Sequence, residues 1–255
     1  MEKKLILLSN DDGYDSEGIK VLKEHLSELG RVVIFAPLSE KSASSHSITL
    51  RKEIVVTEVE KDVFAVDGTP ADCVLIAIYG VLQKKPNLVV SGINLGHNLG
   101  EDVFYSGTVA AAREGAMYGI PAVAVSLFVE PEDQRKYYDT AGYYACRVSQ
   151  FLLKKKLNGE LLNINVPNIP LQEIRGIRFS RLSTRMYRDP VVKLRDNVFI
   201  IGGEPLWDIT HGSDLESVKE GFVSISPLLI DITDYEKLRI LREFEKTIGG
   251  TASER

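Results

Sequence analysis

The chain has 255 residues, 44% of them hydrophobic, and a formal net charge of −5, which suits one large α/β domain or one domain with a smaller appendage. A sequence pI near 5.5 gives no overall basic field to draw it to nucleic acid or anionic lipid. The apolar run after Lys3 and Lys4 is too short for a signal-peptide core, and the longest run, Cys73 to Leu82, falls short of the roughly 20 residues of a membrane span, so a cytoplasmic protein is expected.

Lys4 to Gly30 predicts a strand (Leu5 to Leu8), the stretch Ser9-Asn10-Asp11-Asp12-Gly13, and an amphipathic helix with Ile19, Leu22, Leu26 and Leu29 on one face. Asp15 or Ser16 would cap that helix and Gly30 would end it. A second strand, Val32 to Ala36, completes a parallel βαβ unit, whose strand tips form the ligand-binding edge of an open α/β sheet. Asp11 and Asp12 stand side by side at that edge. Two carboxylates about 4 Å apart at an effective dielectric near 20 repel by roughly 4 kcal/mol, so a cleft that holds both asks for a proton or a cation. The other reading is an Asp-Gly turn with both acids in water.

The hydroxyl-rich stretch Leu38 to Ser47, containing Ser42, lies past the second strand on the same edge and is expected to be a binding loop more than a linker. Ile54 to Val59 and Val63 to Val66 suggest a peripheral hairpin. Thr69-Pro70-Ala71-Asp72 starts a helix running to about Leu82, apolar nearly all round and therefore deeply buried. Leu88 to Val90 is a buried strand that empties into Ser91 to Gly100, a loop offering the amides of Asn94 and Asn98 and the imidazole of His97. Ser106-Gly107-Thr108 opens a helix to Tyr118, and its free N–H groups would suit an anion. Ala122 to Leu127 is the next strand.

Tyr137 to Leu157 reads as a long amphipathic helix whose end, Lys154-Lys155-Lys156, is solvated, and Leu161 to Val166 as a strand. Short strands follow at Ile177 to Phe179, Val191 to Lys193, Val198 to Ile201 and Phe222 to Ser226, then a tail helix from Tyr235 to Lys246. Cys73 and Cys146 lack metal-ligand spacing and read as free thiols inside helices. The expected fold is α/β: a Rossmann-like, mostly parallel sheet flanked by helices, with residues 1–130 as the catalytic core and residues 131–255 as a smaller, irregular C-terminal portion that completes the same structural unit and carries oligomer contacts.

Three loops therefore meet at one sheet edge with oxygen and amide ligands, a set that selects hard ions such as Mg²⁺, Mn²⁺ or Ca²⁺ over structural zinc. A cation beside an anion-binding helix end points to a phosphoester. At Leu8-Ser9-Asn10-Asp11-Asp12-Gly13, Gly68 to Cys73, Ser91-Gly92-Ile93-Asn94 with Gly96 and Asn98-Leu99-Gly100, Tyr105 to Ala111 and Gly221 to Leu228, the sequence closely resembles the survival protein E (SurE) family of metal-dependent nucleotide phosphatases.

The resemblance implies one divalent metal per subunit, Mg²⁺ or Mn²⁺, held by Asp11, Asp12, Ser42 and Asn94. It also implies nucleoside monophosphate as substrate and a homodimer or homotetramer. Where the family usually has Arg-Ser-Gly, this chain has Lys41-Ser42-Ala43, a loss of backbone freedom. On this reading Asp11 or Asp12 orients or deprotonates the attacking water, while Asn10, Asn98, Ser106, Gly107 and Thr108 hold phosphoryl oxygens. Tyr14, Phe104, Tyr105, Tyr187 and Trp207 are candidates for stacking on a base. The rival of another class is a nucleotide sensor that uses the same site without turnover. A nicotinamide oxidoreductase is disfavoured because two acids replace the glycine fingerprint, and an aspartyl-phosphate enzyme because the Asp-x-Asp spacing is missing.

Overall fold

The computed structural model describes residues 3–155, 159–188, 191–202 and 204–249. Its centre is a nine-stranded sheet. The first strands, β1 (Lys4–Ser9) and β2 (Gly30–Pro37), are joined by α1 (Glu17–Ser27), and the hairpin β3 (Val56–Glu60) and β4 (Val63–Val66) follows. Next come α2 (Pro70–Ile76), β5 (Leu88–Leu95), α3 (Gly107–Met117), β6 (Ala122–Phe128), α4 (Tyr138–Lys155) and β7 (Leu161–Pro167). The strand order is β3-β4-β2-β1-β5-β6-β7, parallel from β4 to β7 with β3 antiparallel at the edge.

The sheet does not stop near residue 130. After β8 (Ile177–Phe179) come two antiparallel pairs, β9 (Thr184–Arg188) with β12 (Glu204–Asp208) and β10 (Val191–Arg195) with β11 (Val198–Ile201). Helix α5 (Asp214–Lys219) and β13 (Val223–Leu228) then return to the core, where β13 pairs antiparallel with β7 and parallel with β8. Helix α6 (Tyr235–Gly249) ends the described chain.

The sequence accounts for these elements. Ile6, Leu7 and Leu8 are all fully buried because helices cover both faces of β1. Ile19, Leu22 and Leu26 form the stripe by which α1 joins α4 on one face, in a core with Ile6 and Val90. The other face packs Leu7, Phe35, Cys73 and Ala112 under α2 and α3. Thr69 and Asp72 close a capping box at the start of α2.

Three expectations are modified. Gly30 does not cap α1; it opens β2, where a Cβ would lie 2.2 Å from the Lys4 carbonyl oxygen. The helix expected to reach Leu82 is α-helical only to Ile76, then widens over Ala77–Val81 with the Leu82 N–H bonding the Ala77 carbonyl at 2.9 Å. That widening turns Tyr79 and Val81 to solvent. Strand β5 continues past Val90, and its register to β6 gains one residue between Ser91 and Asn94. This bulge beside the loop re-aims Asn94.

The C-terminal half is stapled to the loop after β5 by Asp214, which is fully buried. Its carboxylate accepts the N–H groups of Gly100 at 2.9 Å, Ser183 at 2.8 Å and Leu215 at 2.8 Å. Asp214→Ala would leave these donors buried without partners, at about 1–3 kcal/mol each if unrelieved. It is expected to lower unfolding stability by at least about 2 kcal/mol in urea titrations; a loss under about 0.5 kcal/mol would show that the staple carries no weight.

Candidate active site

A cleft of about 620 Å³ opens at the carboxyl ends of β1, β2 and β5. It is lined by Asp11, Asp12, Ser42, Asn94, Asn98 and Ser106, together with Glu40, His97, Asp102, Tyr105 and Tyr138. Among the described residues no lysine or arginine lines it.

Asp11 is 4% exposed and sits at the N-terminus of α3. Burial raises its pKa, opposed by the Thr108 hydroxyl, which donates to Oδ1, and by the backbone N–H groups of Thr108, Asp11 and Gly107. The positive end of α3 adds to this support. Gly107 makes the approach possible, because a Cβ there would lie 2.8 Å from the Asp11 Cβ and 2.9 Å from its Oδ2. The Ser44 hydroxyl, buried without a partner, lies against the same point.

Asp12 projects into the cleft. Burial, then the charges of Asp11 and Glu40, push its pKa up to about 6 despite the Leu95 N–H. Ser42 reaches the rim from the hydroxyl-rich loop and donates to Glu40 Oε1 at 2.6 Å. Asn94 donates through Nδ2 to the Gly96 carbonyl at 2.8 Å, which leaves Oδ1 as its acceptor for a ligand. Among the described residues no three acidic, histidine or cysteine side chains converge as a metal site. Neutral oxygen donors, the Ser42 hydroxyl and the Asn94 amide oxygen, share the cleft with the two aspartates. Oxygen atoms beside carboxylates that burial, and at Asp12 the charge of Asp11, hold toward protonation fit a hard divalent cation.

The loop bearing Ser42 is well tied. Lys41 N–H bonds the Asp11 carbonyl at 2.8 Å, Ser45 N–H bonds the Tyr105 carbonyl at 2.9 Å, and His46 Nε2 meets the buried Glu114 carboxylate of α3 at 2.5 Å. Ala43 stands at φ +53°, a left-handed conformation that costs an alanine about 1 kcal/mol relative to glycine.

Three of the expected phosphate-binding residues stand behind the cleft wall. Asn10 is fully buried, with Nδ2 donating to the Gly13 carbonyl and Ser16 Oγ, both at 2.8 Å, and Oδ1 accepting the Gly13 N–H at 3.2 Å. Its side chain shapes the loop. Thr108 and Gly107 direct their donors to Asp11, so the α3 N-terminus is answered by a carboxylate of the protein itself. Asn98 and Ser106 do face the cleft; Ser106 also caps α3 by accepting the Val109 N–H at 3.0 Å.

Of the aromatic candidates Tyr105 lines the cleft, Tyr14 packs on the α1/α4 core, and Phe104 lines a separate apolar groove with Phe179 and Leu229. The side chains of Tyr187 and Trp207 lie outside the described ones. The sequence reading missed Glu40, Asp102 and Tyr138. Glu40 was within reach, two residues before Ser42 in the same loop; Tyr138 carried no signal, since only the packing of α4 brings it beside Asp12. Burial, then the charges of Asp12 and Glu17, push the Tyr138 phenol up to about 12. His97 Nε2 stands 3.6 Å from Asp102 Oδ2 at the rim.

The family model described as Survival protein SurE matches residues 6–189. The chain belongs to the SurE family. Among curated relatives, it is 43% identical over 245 residues to the 5'-nucleotidase SurE of Mannheimia succiniciproducens, covering 94% of this chain and 98% of that one. It is 42% identical over 239 residues to the 5'-nucleotidase SurE of Methylococcus capsulatus, covering 91% and 94%. The crystal structure of the SurE protein from Aquifex aeolicus superposes with a TM-score of 0.83 at 37% identity, covering 94% of this chain and 99% of that one. The α/β fold with its mostly parallel sheet is thus that of a SurE protein. No helix among the described residues is long and apolar enough to cross a membrane.

The raised pKa of Asp12 links pH to stability. The fold prefers its protonated form, so without metal its ionisation costs nothing below the unfolded-state value of 3.8 and progressively more as pH rises through about 6. Asp12→Asn is therefore expected to raise the melting temperature of the chelator-treated protein clearly at about pH 8 and much less at about pH 4.5. Scanning fluorimetry decides, and a larger gain at the lower pH contradicts the placement of Asp12.

Proposed function

We propose that the chain is a divalent-metal-dependent phosphatase that hydrolyses nucleoside 5′-monophosphates to nucleoside and phosphate. The observation that carries this reading is a cleft lined by Asp11, Asp12, Glu40 and Asp102, with no lysine or arginine among the described residues that line it. A phosphate dianion is repelled from such a cleft unless a cation stands between. The names of the relatives supply the nucleotide, and the all-oxygen donor set supports one Mg²⁺ or Mn²⁺ per subunit, held by Asp11, Asp12, Ser42 and Asn94.

When bound, the cation would draw charge from a phosphoryl oxygen and make a nearby water more acidic. The chain's own residues do the rest. Asp11 is pinned by Thr108 and the α3 N–H groups, which fits it to hold rather than to move a proton. Asp12, which lines the cleft without the hydroxyl and helix donors that pin Asp11, is the side chain suited to orient the attacking water and take its proton. Asn98 and Ser106 hold phosphoryl oxygens from the cleft wall, while Asn10, Gly107 and Thr108 keep the first loop and Asp11 in place. Tyr138 stays protonated and offers a hydrogen-bond donor beside Asp12. His97, beside Asp102 in the cleft lining, is the imidazole placed to give a proton to the leaving ribose oxygen.

Residues 1–130 carry the chemistry on this reading, and residues 131–255 carry contacts between copies in a cytoplasmic homodimer or homotetramer. Supporting the second part, Leu194, Ile201, Leu241 and Phe244 are all more than half exposed on β10, β11 and α6. Chelation is expected to abolish release of phosphate from nucleoside monophosphates, and added Mn²⁺ or Mg²⁺ to restore it. Asp12→Asn, still folded, is expected to lose at least tens-fold in kcat/KM. Nucleotide binding without turnover in the presence of metal would make the protein a sensor instead, and activity of the variant within about threefold of wild type would remove Asp12 from the machinery.

A further inference from the structure

Asn98 is 6% exposed and belongs to no strand, yet none of its polar main-chain groups is left to solvent or chance. Its N–H donates to Asn165 Oδ1 at 2.9 Å, and its carbonyl accepts from Asn165 Nδ2 at 3.0 Å and Asn163 Nδ2 at 2.8 Å. Its side-chain Nδ2 donates to Ser126 Oγ at 2.8 Å. Asn163 and Asn165 alternate on one face of β7, Ser126 stands opposite Asn165 on β6, and all three are fully buried.

We infer that Asn165, with Asn163 and Ser126, forms a positioning device for the substrate half of the cleft: the Asn165 amide pairs with the Asn98 main chain as a neighbouring strand would, and Ser126 fixes the turn of the Asn98 side chain. The inference rests on the phosphate-holding role proposed for Asn98. An amide at these two buried strand positions is costly where an apolar side chain would pack without penalty. The cost is visible at Asn163 Oδ1, which is buried with no partner. What the pair provides in return is a fixed Asn98, since a loop residue whose N–H and carbonyl are both engaged, and whose Nδ2 already gives one hydrogen to Ser126, has its second Nδ2 hydrogen to offer a phosphoryl oxygen in one orientation. The metal side of the cleft is built from β1, the Ser42 loop and the bulge of β5, where Asn94 stands opposite Ser126 on β6, while the hydrogen bonds of the Asn163 and Asn165 side chains run to Asn98. Strand β7 thus ties the C-terminal half to substrate binding without acting on the cation.

This separation gives the test, on the full-length protein with Mn²⁺ and adenosine 5′-monophosphate as probes. Asn98→Ala, Asn165→Ala and Ser126→Ala are compared for KM, kcat and, without nucleotide, Mn²⁺ affinity by calorimetry. Asn98→Ala and Asn165→Ala are expected to raise KM about tenfold and Ser126→Ala about threefold, with Mn²⁺ affinity within about twofold of wild type. A structural role alone would move Mn²⁺ affinity and KM together. Asn165→Asp, which keeps the acceptor for the Asn98 N–H but sets a second acceptor against its carbonyl, is expected to raise KM at least as far as Asn165→Ala, and Ser126→Ala decides the matter if neither Asn165 variant folds. An unchanged KM in Asn98→Ala would sink the phosphate role on which the inference rests. A raised KM in Asn98→Ala, with the Asn165 and Ser126 variants within twofold of wild type or weakening Mn²⁺ in proportion, would overturn the positioning role itself.

Discussion

Like charges brought together without a balancing cation govern this molecule. Asp11 and Asp12 follow one another at the tip of β1, Glu40 adds a third carboxylate, and among the described residues the cleft they share has no lysine or arginine on its walls. Burial alone would protonate such groups. The fold instead meets them with oriented dipoles: the Thr108 hydroxyl and the first N–H groups of α3 at Asp11, the Leu95 N–H at Asp12. What those dipoles leave uncompensated is the charge a hard cation would neutralise, and an anionic substrate enters only after that.

The rest of the architecture serves to keep these groups in register. A parallel sheet covered on both faces places the tips of β1, β2 and β5 on one edge, and the missing Cβ of Gly107 lets α3 close on Asp11. The hydroxyl-rich loop after β2 is fastened to Asp11, Tyr105 and Glu114. Ala43 takes a left-handed turn there that glycine would take more readily. From the other side, Asn163, Asn165 and Asp214 hold the loop after β5, so the half of the chain without acidic ligands still shapes the cleft.

Much of this was legible in the sequence, for local reasons. Strand β1, helix α1 and the Thr69-Asp72 capping box follow from periodicity and capping chemistry between near neighbours. The gathering of Asp12, Ser42, Asn94 and Asn98 at one edge follows from the right-handed βαβ rule. What failed to show were long-range relations. Tyr138 reaches Asp12 through the packing of α4 on α1, and Asn165 on β7 reaches Asn98 across β6; neither has a local signature. At the α3 N-terminus the sequence shows a helix end suited to an anion, but not that the Asp11 carboxylate accepts from Gly107 and Thr108 there. Helix α5 and the β9–β12 pair went unread because a single turn and a half, or two short strands, leave too little periodicity to detect.

The central claim is that Asp11 and Asp12 are held together to share a cation. Anomalous diffraction from crystals of the protein grown with Mn²⁺ locates that ion directly. The account predicts one strong peak per subunit within coordination distance of both aspartates, with the Ser42 and Asn94 side-chain oxygens directed at it. A peak elsewhere, or Asp12 turned to bulk solvent while manganese binds at a different site, would contradict it.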